Sequence, residues 1–326
     1  MRKVWSFYIA ILVAGLCRSR DLTFVHGNDD KAYYCRICPD HVMCLYQYDN
    51  CLQKCNDLEN DDLESLEIES ILKHHNELRN RIAQGVEVRG NPGPQPPARN
   101  MLELAWDYEL AGIARRWALQ CEPTQKDQCR DVERFQVWQN VHVLDLDAVE
   151  ESTPLVRITS HIQSWYDEVD QFDSSEVGLV DYNSPNCSSY VAFATATINY
   201  VGCARATYTV NLSEFELEPT SATLNKTGNR VEVLVCNYGP IDRKVPRHLY
   251  EFDGIPGVCP DGTLPSTDYE WLCARDPEAD YIKKKKQQRL VHGKREDSKK
   301  MNNVGFTTVS LHLMGLTVIL SVHGFM

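Results

Sequence analysis

Thirteen cysteines in a chain of 326 residues constrain the fold more than any other feature, because what cysteine does depends on where the chain goes. The N-terminus speaks to that. Arg2 and Lys3 precede an apolar run from Val4 to Leu16, and Gly15-Leu16-Cys17 offers small residues for cleavage, the pattern of a secretory signal over residues 1–17. Thirteen residues are too few to span a bilayer, which argues against a transmembrane helix there. Removing Cys17 with the signal leaves twelve cysteines, an even number in a compartment where disulfides persist. Cys35-Arg-Ile-Cys38, with His41 and Cys44 nearby, also reads as a zinc knuckle. Zinc fingers, however, belong to reducing compartments, and five unevenly spaced cysteines in 35–55 suit cross-links better. Three sequons, at Asn186, Asn211 and Asn225, predict glycosylation and agree with secretion.

Charge separates the chain further. Residues 283–300 hold nine Lys/Arg against Glu296 and Asp297, a net of +7 that leaves about −19 for the rest. So acidic a body does not suggest a nucleic-acid binder. Composition divides the chain into a Cys-rich N-terminal arm (22–64), a core domain (65–250), a loop clipped between Cys259 and Cys273 (251–275), a basic, unpatterned linker (276–303) and an apolar tail (304–326).

Within the core, Ile68, Ile71, Leu72, His75, Leu78 and Ile82 recur at helical spacing and predict a helix over 65–84. A second helix runs from Trp106 to Cys121, with Asp107 near its start, and a third from Val156 to Phe172 after Pro154. Strands are expected over Phe135–Val143, Tyr200–Val210 and Arg230–Tyr238, where β-branched and aromatic residues alternate with polar ones. Helices flanking an antiparallel sheet make an α+β layered domain. Four prolines and two glycines in 86–101 exclude helix and central strand and stiffen that connection.

The ordered motifs His75-Asn76-x-x-Arg79, RGNPGPQPPARNM (89–101), Ala105-Trp106-Asp107-x-Glu109-Leu110-Ala111 and Trp117-Ala118-x-Gln120-Cys121 are followed by Cys129-Arg130-Asp131-Val132 and Gln139-Asn140. Then come Trp165-x-x-Glu168-Val169, Val201-Gly202-Cys203 and Val235-Cys236-Asn237-Tyr238-Gly239-Pro240. Over about residues 35–275 the chain resembles the insect antigen 5 branch of the CAP superfamily (CRISP, antigen 5, PR-1). The resemblance implies a three-layer α-β-α CAP sandwich with a disulfide-tied N-terminal arm. It also implies the bridges Cys35–Cys44, Cys38–Cys129, Cys203–Cys236 and Cys259–Cys273, with Cys121 bonded to Cys51 or Cys55. Cys187 and the spare arm cysteine are left over, and their pairing would complete six bridges.

Many CAP proteins carry a central cleft in which two histidines and two acidic residues hold a divalent metal. Of that set, the resemblance leaves here Gln139 at one acidic position, Glu168 at the other, and Ser189, beside Tyr190, where the last histidine is expected. The first histidine is missing from the Cys121–Cys129 segment, and Trp138 stands where the family has glycine. One ligand of four implies no metal site, no cofactor and no catalytic residue. His142 and His161 occupy no family position, and a lone histidine on a strand or helix is usually a hydrogen-bonded side chain. Ser189 as a nucleophile would need an adjacent base, and none is placed beside it.

The resemblance implies a secreted, non-catalytic scaffold in a venom, salivary or reproductive fluid that binds an extracellular protein or a small lipid. Sterol or fatty-acid carriage and a secreted peptidase stand as the alternatives. Residues 304–326, preceded by Ser298, Asn302 and Asn303, look like a GPI-attachment signal, a tail anchor or a plain extension; the first two would bring membrane contact.

Overall fold

Helix α3 (Ser65–Gln84) forms where the apolar period is clearest, over the span expected from the sequence. The Glu67 carboxylate accepts the Glu64 amide at 2.8 Å near its start, and Gly85 closes it at φ 79°, a left-handed conformation that favours glycine. The computed structural model describes residues 28–46, 55–59, 62–148, 152–181, 187–210, 228–243 and 247–279. The signal, Cys51, the asparagines of all three sequons and the apolar tail lie outside them. The chain divides into units Met1–Arg275 and Asp276–Met326; of the second, only 276–279 are described. Among the described residues no helix is long and apolar enough to cross a membrane.

The arm contributes α1 (Asn28–Ile37), α2 (Val42–Leu45) and the strand β1 (Asn56–Glu59). Then follow α3, β2 (Ala105–Trp106), α4 (Tyr108–Ala118), β3 (Gln136–Asp145), α5 (Pro154–Asp167), α6 (Ser188–Ala194), β4 (Tyr200–Val210) and β5 (Asn229–Ile241). A hairpin of β6 (Thr263–Pro265) and β7 (Cys273–Arg275) ends the first unit. The second helix starts two residues later than expected, because Ala105 and Trp106 pair in parallel with Tyr200 and Val201. Asp107 then caps α4, its Oδ1 accepting the Leu110 amide at 2.9 Å. The third helix ends early: from Glu168 to Gln171 the backbone winds as a 3₁₀ turn.

The sheet runs β1-β4-β5-β3, antiparallel throughout, with β2 added at the start of β4. Strand alternation sorts its two faces. Ala204, Ala206 and Tyr208 of β4 and Val231, Val233 and Val235 of β5 pack with Ala114 and Ala118 of α4. Leu234, Cys236 and Tyr238 point the other way, into the core shared with α3, α5 and α6. Helix, sheet and helices thus form the three layers. Gly202 sets the spacing between α4 and β4: a Cβ there would lie 2.3 Å from the Ala111 nitrogen and 2.4 Å from the Asp107 oxygen.

Among the described residues five disulfides join Cys35–Cys44, Cys38–Cys129, Cys55–Cys121, Cys203–Cys236 and Cys259–Cys273. Two of them tie the arm to residues 121 and 129, at either end of the connection after α4. Each loop-closing bridge contributes on the order of 2–4 kcal/mol, mainly by restricting the unfolded chain. Cys187 is free among the described cysteines.

On α3, three side chains of one motif reach three different segments. Asn76 brackets Leu104, accepting its amide at 2.8 Å and donating to its carbonyl at 3.1 Å. Fully buried Arg79 donates to the carbonyls of Leu102, Phe193, Thr195, Ala196 and Ile198. His75 Nδ1 lies 2.7 Å from the Ile71 carbonyl and its Nε2 2.9 Å from the Tyr238 hydroxyl, so the neutral ring donates once and accepts once.

Arg79→Lys keeps the charge but has three donors for these five acceptors, so it is expected to destabilise by about 2–4 kcal/mol, read by chemical denaturation. Burial pushes the His75 imidazole down to about 3. The unfolded chain therefore binds a proton below about 6.5 that the native chain refuses, and stability falls as pH drops from there toward 3. The expected loss in urea midpoint between pH 7 and pH 5 is smaller in His75→Gln; an unchanged slope would assign the acid sensitivity elsewhere.

Candidate functional site

The positions that the resemblance assigns to a metal lie at the junction of β3, the end of α5 and the start of α6. Glu168 closes α5 and turns its carboxylate back onto α6. Its Oε2 accepts the amides of Ser189 at 2.7 Å and Tyr190 at 3.1 Å, the second and third residues of α6. These amides have no partner inside the helix, so a negative oxygen there is well placed by hydrogen bonding and by the helix dipole. The early end of α5 follows from this: the 3₁₀ turn begins at the residue whose side chain caps the next helix.

Gln139 is buried and committed at both ends. Its Oε1 accepts the Asp127 amide at 2.7 Å, and its Nε2 donates to Asn237 Oδ1 at 2.9 Å. Asn140 donates to the Ser189 carbonyl at 3.1 Å, tying β3 to α6. Tyr190 is fully buried, packing edge-on to Tyr166 and against Phe172. The structure thus brings Glu168, Ser189 and Tyr190 into direct contact, while Gln139 serves the sheet and the Cys121–Cys129 segment.

Lys126 was not singled out in the sequence. It comes from the Cys121–Cys129 segment that lacks the family histidine. Its Nζ is 3.1 Å from Ser188 Oγ and 5.6 Å from the centre of the Trp138 ring. Burial lowers its pKa to about 8, aided by Arg130 and opposed by the Glu168 charge. Next to it, burial raises the Asp127 carboxyl to about 6, against the Cys129 amide it accepts. A longer segment carrying a lysine, together with a tryptophan in place of glycine, was the available signal for this contact.

The donors at these positions are engaged within the chain. The one acidic side chain spends an oxygen on two amides, the amide side chain is used at both ends, and an ammonium stands nearby. Among the described residues no three His, Cys, Asp or Glu side chains are grouped to hold a metal ion. His142 and His161 also meet, with their Nδ1 atoms 2.8 Å apart, but on the β3–α5 contact away from these positions. A strand residue and a helix residue nineteen apart share no period, so the sequence does not show that they meet.

Comparison with known proteins decides the family. The profile of the cysteine-rich secretory protein family (CAP) matches residues 72–238. The chain belongs to the CAP family. Venom allergen 3 of Solenopsis invicta is 36% identical over 214 residues, covering 65% of this chain and 83% of that protein. Venom allergen 5 of Dolichovespula arenaria is 34% identical over 226 residues, covering 67% and 98%. Among solved structures, Na-ASP-1 aligns with a TM-score of 0.50 at 22% identity, over 70% of this chain and 51% of that one. BmVAL-1 does so at 0.50 and 21%, over 66% and 96%. These likenesses support the α+β CAP sandwich read from the sequence.

In this CAP domain Glu168→Ala is expected to cost about 1–2 kcal/mol, the worth of a helix cap, read as a lower denaturation midpoint. A cost near zero would mean that Glu168 does not cap α6.

Proposed function

We propose that this chain is an extracellular, antigen 5-like CAP protein that acts as a non-catalytic binding scaffold, engaging a partner protein in a secretion. One observation carries this reading. One oxygen of Glu168 is engaged by α6 and both ends of Gln139 by Asp127 and Asn237, and among the described residues no three His, Cys, Asp or Glu side chains are grouped to hold a metal ion. The five disulfides and the venom allergen relatives support an extracellular setting. Attachment to a cell surface through the C-terminal tail belongs to the same proposal; release of the protein from cells by a phosphatidylinositol-specific phospholipase would support it.

Purified protein incubated with a peptide library and Zn²⁺, Mg²⁺ or Mn²⁺ is expected to show no turnover above a metal-free control. Metal-dependent cleavage abolished by Glu168→Ala would overturn the reading. Mass spectrometry of the purified protein is expected to show no stoichiometric sterol or fatty acid. A saturable one would favour lipid carriage instead.

A further inference from the structure

His41 is fully buried at the joint between the arm and the rest of the domain, and both of its ring nitrogens are used. Its Nε2 lies 3.0 Å from the Asp131 carbonyl, in the connection between α4 and β3. Its Nδ1 lies 3.1 Å from the Met43 amide, in the first turn of α2. A carbonyl only accepts and an amide only donates, so the hydrogen sits on Nε2 and the lone pair of Nδ1 caps α2. Cys35 is bonded to Cys44 and Cys38 to Cys129, so none of these three neighbouring thiols of the arm is left beside the ring as a thiolate.

What this joint covers is apolar. Val42 of α2 and Tyr34 of α1 share one buried cluster with Leu110 and Ile113 of α4 and with Val132 and Val137. The two bridges keep the arm attached in any case, which confines an opening to α2 and the turn before it.

An imidazolium donates from both nitrogens. In the same place its Nδ1 hydrogen would point at the Met43 hydrogen, and the first turn of α2 would lose its acceptor. The surrounding charges are committed elsewhere. The Asp131 carboxylate accepts from Arg243 at 2.7 and 2.6 Å and from the Val137 amide at 2.7 Å. The Tyr34 ring lies 4.8 Å from the imidazole, and its hydroxyl donates to Glu109 of α4 at 3.1 Å. Arg116 of α4 donates to the Tyr46 carbonyl, Arg130 to the Asp127 carbonyl, and Tyr33 to Glu133 at 3.4 Å. Arg36 and Asp40 are exposed. Burial accordingly lowers the pKa of His41, opposed by the Asp131 carbonyl and charge.

We propose that His41 is an acid-weakened latch: protonation of its ring, which the closed joint excludes, raises the frequency with which α2 lifts off α4 in an acidic fluid. The closed joint admits only the neutral ring, whereas in the opened arm His41 titrates near its ordinary 6.5. The hold is therefore complete above about 6.5 and weakens as pH falls below it. Between pH 7.5 and 5.5 the opening equilibrium rises about tenfold. Asp127 titrates in the same range, raised by burial to about 6, but with the opposite sign, because there the native chain binds the proton more readily. The latch requires nothing of the cleft around Glu168 and stands whether or not that cleft is inert.

The test is amide hydrogen exchange of the full secreted chain, labelled with its disulfides intact at pH 7.5 and 5.5 and corrected for the intrinsic pH dependence of exchange. The amides of Met43, Leu45 and Tyr46 bond to His41 Nδ1, the His41 carbonyl and the Val42 carbonyl. Their protection is expected to fall about tenfold at the lower pH. The amides of Ser266 and Leu272, bonded within the β6–β7 hairpin, are the internal control and are expected to change less than about twofold. His41→Asn keeps a side-chain oxygen for the cap and removes the titrating ring, so its arm protection is expected to change less than about twofold between the two pH values. A fall in the arm no larger than that in the hairpin, read in the native protein without any variant, overturns the proposal. So does a tenfold fall that persists in folded His41→Asn, or a His41 ring that titrates near 6.5 by NMR in the native protein.

Discussion

The buried guanidinium of Arg79 is the interaction around which the rest of the domain is arranged. Five backbone carbonyls from two separate segments, 102 and 193–198, converge on one planar donor. These carbonyls lie at the end of α6 or outside any regular element, and a buried acceptor left without a donor costs about 1–3 kcal/mol. Arginine suits the task because its donors lie in a fixed plane and its charge survives burial; even here its pKa is lowered only to about 9. Through Arg79, α3 holds the end of α6 and the approach to β2 in one place. The next residue pair on the same face, His75 and Tyr238, joins that helix to the sheet.

Given this frame, the residues of the cleft next to it also serve the fold. The Glu168 carboxylate is useful to the fold, because α6 is short and follows Cys187, which has a positive φ of 55° and no side-chain capping bond, so the first amides need an outside acceptor. A lysine over a tryptophan ring adds a positive charge and bulk at the same rim. Glu168 and Gln139 thus bind other groups of this chain.

Much of this fold was legible from the sequence. The period of 65–84 gave α3 its full length, and the alternation in 200–210 marked β4 from end to end. Helix α6 was not legible as a helix, since six of its seven residues are buried and no polar face reveals a period. The residues of the cleft were named by resemblance, yet their roles were not: nothing in Glu168 itself announces that it caps a helix twenty residues on. Lys126 and the His142–His161 pair were missed for the same reason, each being a contact between elements with no local signature.

By itself, the sequence determined most of the element types, the cysteine frame and the family, because these depend on residue identity and short-range period. Only the tertiary structure decided which acceptors Arg79 serves, that Glu168 is a cap, and that His41 meets the Asp131 carbonyl. Hydrogen-bond partners far apart in the chain are chosen by packing. A side chain's chemistry is set by the groups that packing brings to it.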